Sequence, residues 1–128
     1  MAYYSTKTVA GSFDETLAKL TDELKKEGFG ILTEIDVKET LKKKLNVDFR
    51  RYKILGACNP PLAYQALQAE DKIGILLPCN VIIQEKGDGQ VEVSAIDPME
   101  TMKVVGNPKL AALAEQVQAK LKRVVANI

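Results

Sequence analysis

The feature that most constrains the fold is a pair of strand-like segments joined by a glycine turn in the second half of the chain. Residues 79–85 and 90–96 are rich in apolar and β-branched side chains, and Gly87-Asp88-Gly89 lies between them. Short glycine-containing connections join antiparallel neighbours in a sheet. The segment therefore predicts a β-hairpin, and a hairpin argues against a fully parallel, doubly wound sheet.

Periodicity and capping residues predict the other elements. β-Branched and alternating apolar residues predict three more strands, at Tyr3–Val9, Phe29–Val37 and Arg51–Ala57. Residues that cap helix ends predict four helices: one from Ser12 to Gly28, a short one after Asp36, one from Asn59 to Ala69 and the last after Asn107-Pro108.

This order predicts an α+β fold. Most strands can pair antiparallel, with the long helices packed on one face of the sheet. The 128 residues contain no internal repeat, low-complexity tract or linker. We therefore expect residues 1–128 to form a single domain with enough core to fold without disulfides.

Composition excludes several functional classes. The 18 Lys and Arg nearly balance the 17 Asp and Glu, whereas nucleic-acid binding normally needs a basic excess, so no nucleic-acid partner is expected. The longest apolar run, Ile73–Leu77, is far shorter than the roughly 20 residues that cross a bilayer, so no membrane role is expected. The chain has no histidine, which removes Ser-His-Asp and Cys-His catalysis.

The cellular location follows from the amino terminus and the cysteines. Residues 1–5 lack the charged and long apolar regions of a signal peptide. Two cysteines in a chain of this length argue for reduced thiols rather than a disulfide framework. We expect a cytoplasmic protein.

Two motifs carry a family resemblance. They are Gly-Ala-Cys-Asn-Pro-Pro-Leu-Ala at 56–63 and Ile-Leu-Leu-Pro-Cys-Asn-Val at 75–81, and Glu27-Gly28-Phe29 and Asp97-Pro98 add to them. With these motifs the chain resembles the domain-of-unknown-function 302 family over essentially its whole length. The resemblance implies a bacterial protein of β-α-β(4)-α topology with extra short helices, similar to TATA-binding-protein-like folds, that assembles as a homodimer. It implies no activity.

The two Cys-Asn motifs are the best candidate site. Cys58 ends one predicted strand and precedes a helix, where backbone dipoles favour a thiolate. Cys79 begins the next long strand, so the two thiols lie at one end of the sheet if these strands are antiparallel neighbours. The candidate ligand-binding residues are Cys58, Asn59, Cys79, Asn80, Tyr52 and Tyr64.

The cysteines allow three interpretations. They are small apolar core residues, a redox or metal-binding pair, or a site with one nucleophilic thiol. Two thiolates favour a soft metal ion, but such sites normally need further ligands. The family resemblance implies a histidine in some members just after the Pro-Pro-Leu-Ala stretch, where this chain has Tyr64. No cofactor is predicted, and Cys58 with Cys79 is a weak metal candidate.

Two further features of the sequence allow more than one interpretation. Glu34 and Asp36 stand two residues apart on a predicted strand, as paired carboxylates in acid-base sites do, although Asp36 is also explained as a helix cap. The apolar segment 73–78 predicts either a short buried strand or a patch that a second subunit covers.

The leading functional hypothesis is a non-enzymatic, cytoplasmic homodimer that binds a small ligand or ion near the Cys-Asn motifs. One alternative is a redox protein or enzyme that uses the thiols of Cys58 and Cys79. The other is a structural or interaction protein. The absence of histidine and of any catalytic motif favours the first hypothesis.

Overall fold

The computed structural model describes residues 2–128 and contains five strands that form one antiparallel sheet. The order across the sheet is β1-β5-β4-β3-β2. The strands are β1 Tyr4–Ala10, β2 Gly30–Asp36, β3 Tyr52–Cys58, β4 Cys79–Gly87 and β5 Gln90–Ile96. The α+β class and the antiparallel sheet predicted from the sequence are confirmed.

Helices connect consecutive strands everywhere except at the hairpin of β4 and β5. The α-helices are α1 Phe13–Lys26, α2 Val37–Leu45, α3 Pro60–Ala69, α4 Pro98–Thr101 and α5 Ala111–Ala126, and 3-10 turns lie at Asp71–Leu76, Met102–Val104 and Pro108–Leu110. No helix among residues 2–128 is long and apolar enough to span a membrane.

The predicted caps define where helices begin. The side chain of Ser12 accepts a hydrogen bond from the Glu15 N–H, and Asp36 does the same for Glu39. These bonds satisfy amide groups that a helix leaves unpaired at its amino end. The carboxylate of Asp36 is therefore engaged as a cap, and the predicted acid-base pair with Glu34 loses one of its members.

The core lies between one face of the sheet and the long helices. Strand residues that point to this face pack against α1 and α5, which supply the aliphatic side chains opposite them. The fully buried contacts include Leu20, Leu24, Leu55, Val81, Ile83, Val93, Leu121 and Val124. Burial of this surface is the main force that holds the helices on the sheet.

The other face of the sheet points away from the core that α1 and α5 cover. Part of it is covered by Arg50, which lies over the Tyr52 ring and donates a hydrogen bond from Nε to Gln84 Oε1. Ile54 on β3 pairs with Ile82 on β4, and Ile82 pairs with Ser94 on β5, so these three side chains point to this face. Tyr4 and Ile35 remain 44% and 48% exposed on it. We call this surface the open sheet face; further strand positions that lie on it include Thr6, Thr8, Thr33, Tyr52, Gly56, Asn80, Gln84, Glu92 and Ile96.

The apolar segment 73–78 is not the short buried strand that was one of its two predicted forms. Most of it belongs to the 3-10 turn Asp71–Leu76 rather than to a strand. Ile73 is 1% exposed, whereas Ile75 is 83% exposed. One short turn cannot bury side chains on both of its sides, so burial and exposure alternate within a segment that we expected to be uniform.

Candidate functional site

The two cysteines lie at one end of the sheet. β3 and β4 are antiparallel neighbours, and Ala57 pairs directly with Cys79. Cys58 is the last residue of β3, so the chain places it beside the first residue of β4. Both cysteines are free thiols.

An apolar cavity of about 380 Å³ opens beside these cysteines. Its walls come from the ends of β3 and β4, from α3 and α5, and from the 3-10 turn between α3 and β4. The wall residues are almost entirely aliphatic or aromatic, and the largest include Phe29, Leu62, Ile73, Leu110, Leu113 and Val117. Such a composition suits an apolar molecule rather than water.

Asn59 lies in the cavity wall, but its amide is already engaged. Its Oδ1 accepts a hydrogen bond from the Leu62 N–H at 3.4 Å, as the cap of α3. Its Nδ2 donates to the Glu27 carbonyl at 3.2 Å and thereby joins α3 to the end of α1. The amide is therefore structural, and a ligand in the cavity meets the thiols of Cys58 and Cys79 as the remaining hydrogen-bonding side chains of the wall.

The Cys79 thiol is held in its neutral form. Burial raises its pKa to about 11, and the nearby Cys58 adds to the rise because two thiolates repel each other. At neutral pH Cys79 is a weakly polar S–H group with little nucleophilic character. Among residues 2–128, no group of three or more His, Cys, Asp or Glu side chains lies close enough together to hold a metal ion.

The other three predicted site residues lie elsewhere. Tyr52 and Asn80 line a second pocket on the open sheet face and are not part of the cavity wall. Tyr64 is on α3 but is 65% exposed and lines none of the described pockets. Asn80 points to the face opposite its neighbour Cys79, because adjacent residues on a strand point to opposite faces. Tyr52 lies at the other end of β3, six positions before Cys58.

The sequence did not mark the aliphatic wall as a site. Leu113 and Val117 fit the apolar stripe of the last helix, which predicts core contact. Periodicity shows that a residue faces inward, yet it does not show whether another side chain meets it there. The gap between α3 and α5 depends on how far apart the sheet holds the two helices.

The cavity opens to solvent past apolar side chains. Leu32, at an irregular pairing in β2, is 68% exposed, and Leu67 on α3 is 42% exposed. Both side chains belong to the cavity wall. A ligand that enters at this opening displaces water from apolar side chains both at the rim and inside the cavity.

Gly56 and Pro78 fix the wall where β3 meets the start of β4. A Cβ atom on Gly56 would overlap Thr33 Oγ1 of β2 and would lie 2.7 Å from Pro78 Cγ. Only glycine allows this close approach. Since Pro78 lines the cavity directly before Cys79, the glycine helps to set the position of that wall.

A family model and a solved structure both relate this chain to the same protein family. The family model described as "Domain of unknown function DUF302" matches residues 5–128. The fold is also similar to the crystal structure of an uncharacterized conserved DUF302 protein from Bacillus stearothermophilus, with 27% sequence identity and a TM-score of 0.91 over 99% of this chain and 98% of that chain. No curated protein matches the sequence.

Proposed function

The chain belongs to the DUF302 family, and from that premise we propose that it is a non-enzymatic binding protein for a small, uncharged, apolar molecule. The ligand occupies the cavity beside Cys58 and Cys79. The observation that carries this proposal is the composition of the cavity wall, in which aliphatic and aromatic side chains surround about 380 Å³ of space.

The size of the cavity supports a small organic ligand. An engineered apolar cavity of about 150 Å³ stays dry and binds benzene, and natural ligand pockets range from about 300 to 1,000 Å³. A cavity of about 380 Å³ therefore has room for a molecule roughly two to three times the volume of benzene. One or two rings, or a branched chain of comparable size, would fill it.

The wall also disfavours charge. An ionised carboxylate or phosphate moved into apolar surroundings loses its hydration and needs donors in return. The Asn59 amide is already engaged by Leu62 and Glu27, and a thiol is a weak donor. An uncharged ligand of about 12 heavy atoms, at about 0.5 kcal/mol per atom, would gain about 6 kcal/mol, which corresponds to a Kd of tens of micromolar.

The proposal includes the cytoplasm as the location and a second copy of the chain as partner. Two free thiols fit a reducing compartment. The open sheet face, with strands of seven to nine residues, covers on the order of 550 Å² at normal strand spacing. Two such faces give about 1,100 Å², near the lower limit of specific interfaces.

Displacement of an uncharged fluorescent probe tests ligand binding. N-phenyl-1-naphthylamine is titrated into the protein and then competed with uncharged and carboxylate-bearing molecules of equal size. In the Ala66→Phe variant a ring fills the cavity, because Ala66 is part of its wall. Ala119→Phe is the matched control, since Ala119 is exposed on α5.

We expect Ala66→Phe to weaken probe binding at least tenfold and Ala119→Phe to leave it unchanged. Uncharged competitors should displace the probe, and the matched carboxylates should not. Equal probe affinity in the two variants, with both folded by circular dichroism, would show that the cavity is not the binding site and would overturn the proposal.

A further inference from the structure

The two cysteines supply the reactive groups of the cavity wall. Among residues 2–128, Cys58 and Cys79 are the only side chains of the cavity wall with a thiol, and the one other sulfur there is the thioether of Met102. The wall has no lysine, serine, threonine or carboxylate beside them. Any selective bond between this cavity and a ligand therefore involves sulfur.

The two thiols differ in their surroundings. Burial and the neighbouring Cys58 raise the pKa of Cys79 to about 11, so Cys79 keeps its proton. Cys58 directly precedes Asn59, the cap of the ten-residue helix α3. The amino end of a helix favours negative charge, so charge that develops on the Cys58 sulfur during a reaction is stabilised there.

The mutual repulsion of the two sulfurs limits what they do together. A second thiolate next to the first is disfavoured in an apolar wall. A soft metal cation would need both thiolates and further ligands. A reaction that uses one thiol at a time, and that begins and ends without net charge, fits these surroundings better.

We propose that the cavity captures small uncharged α,β-unsaturated carbonyl compounds by forming a thioether with Cys58. This inference rests on the proposed binding of an uncharged apolar molecule and deepens it by naming the ligand class. Cys79 keeps its proton and forms no bond to the ligand.

The step is an addition and needs no oxidant, reductant or second substrate. The Cys58 thiolate forms a bond from Sγ to the β-carbon of the enone, and the carbon-carbon double bond becomes a single bond. The enolate that results takes up a proton at the α-carbon, which replaces the proton that Cys58 lost. The product is uncharged, and all atoms of thiol and ligand are retained.

Intact-mass spectrometry with 3-nonen-2-one tests the inference. The wild-type chain and the Cys58→Ser and Cys79→Ser variants are incubated with this enone at neutral pH, and the rate of single-adduct formation is compared with that of urea-unfolded protein. The saturated analogue 2-nonanone serves as a noncovalent ligand. Its binding is measured separately by displacement of N-phenyl-1-naphthylamine.

We expect one adduct on the folded wild-type chain, formed at least tenfold faster than on the unfolded chain. Cys58→Ser should abolish this adduct while it keeps the circular-dichroism spectrum of the wild type, and Cys79→Ser should still form the adduct faster than the unfolded chain does. Excess 2-nonanone should slow the adduct on the wild-type chain, because both molecules compete for the same cavity.

The outcomes separate the two proposals. Adduct formation no faster on folded than on unfolded protein, with 2-nonanone still bound, overturns the covalent capture and leaves the binding function intact. Failure of 2-nonanone to bind overturns both. An adduct that persists in Cys58→Ser assigns the reaction to another residue and also refutes the inference.

Discussion

Replacement of Gly56 by alanine is the sharpest test of how the sheet shapes the cavity. Gly56 pairs with Thr33 of β2 and with Asn80 of β4. An added Cβ would overlap Thr33 Oγ1 and lie 2.7 Å from Pro78 Cγ. A threonine on a strand and a proline ring have few other rotamers, so the backbone must move.

The expected cost can be worked out from these contacts. Overpacking of a buried site costs about 1–3 kcal/mol. Alanine also lowers the entropy of the unfolded chain, which stabilises the folded state by about 0.4–1 kcal/mol and offsets part of that cost. We expect Gly56→Ala to lower the free energy of unfolding by about 1–2 kcal/mol. At roughly 2 cal/mol/K per residue, this corresponds to a fall in Tm of about 4–7 °C.

Urea unfolding followed by circular dichroism measures the change. Gly30→Ala is the matched control, because Gly30 is also a strand residue and a Cβ there would meet nothing within 4 Å. We expect this control to be neutral or slightly stabilising. In a Thr33→Ala background, Gly56→Ala should cost less, since one of the two obstructing groups is gone.

Two results would refute the reasoning. One is a Gly56→Ala variant as stable as Gly30→Ala. The other is an equal loss of stability with and without the Thr33 side chain. If the loss is as large as expected, the affinity for N-phenyl-1-naphthylamine should also fall, because Pro78 belongs to the cavity wall.

Two other predictions concern the thiol and the open sheet face. Because the pKa of Cys79 is raised to about 11 in the folded protein from its ordinary value of 9.0, the stability contribution of the neutral thiol is fully present well below pH 9 and is lost as pH rises from 9 to 11. The expected loss is on the order of 1 kcal/mol at pH 10; urea unfolding at pH 8 and 10 measures it, and the same loss in Cys79→Ala would contradict the assignment. For the homodimer, light scattering should give the mass of two chains for the wild type and for Ile75→Lys, and of one chain for Ile82→Lys on the open sheet face. A monomeric wild-type protein would refute the proposed homodimer.

The cap and turn residues account for most of what could be predicted about the fold. Ser12, Asp36 and Asn59 each begin a helix where the sequence places a cap. The hairpin of β4 and β5 follows the glycine turn. These features act over three or four residues, so local chemistry is sufficient to define them.

The candidate site was predictable only in part. Cys58, Asn59 and Cys79 line the cavity, whereas Tyr52 and Asn80 are on the opposite face of the sheet. The two Cys-Asn motifs look equivalent in sequence. They differ because Asn59 follows the end of a strand and caps α3, while Asn80 is inside β4 and points to the face opposite its neighbour Cys79.

The sequence alone determined the number and type of the main elements, the antiparallel hairpin, the lack of histidine chemistry and the family. Only the tertiary structure decided that α3 and α5 leave a cavity between them, that two cysteines 21 positions apart share its wall, and that Cys79 stays protonated. Local patterns depend on neighbours along the chain. The volume of a cavity and the pKa of a thiol depend on distances and burial that exist only after the sheet has brought distant segments together.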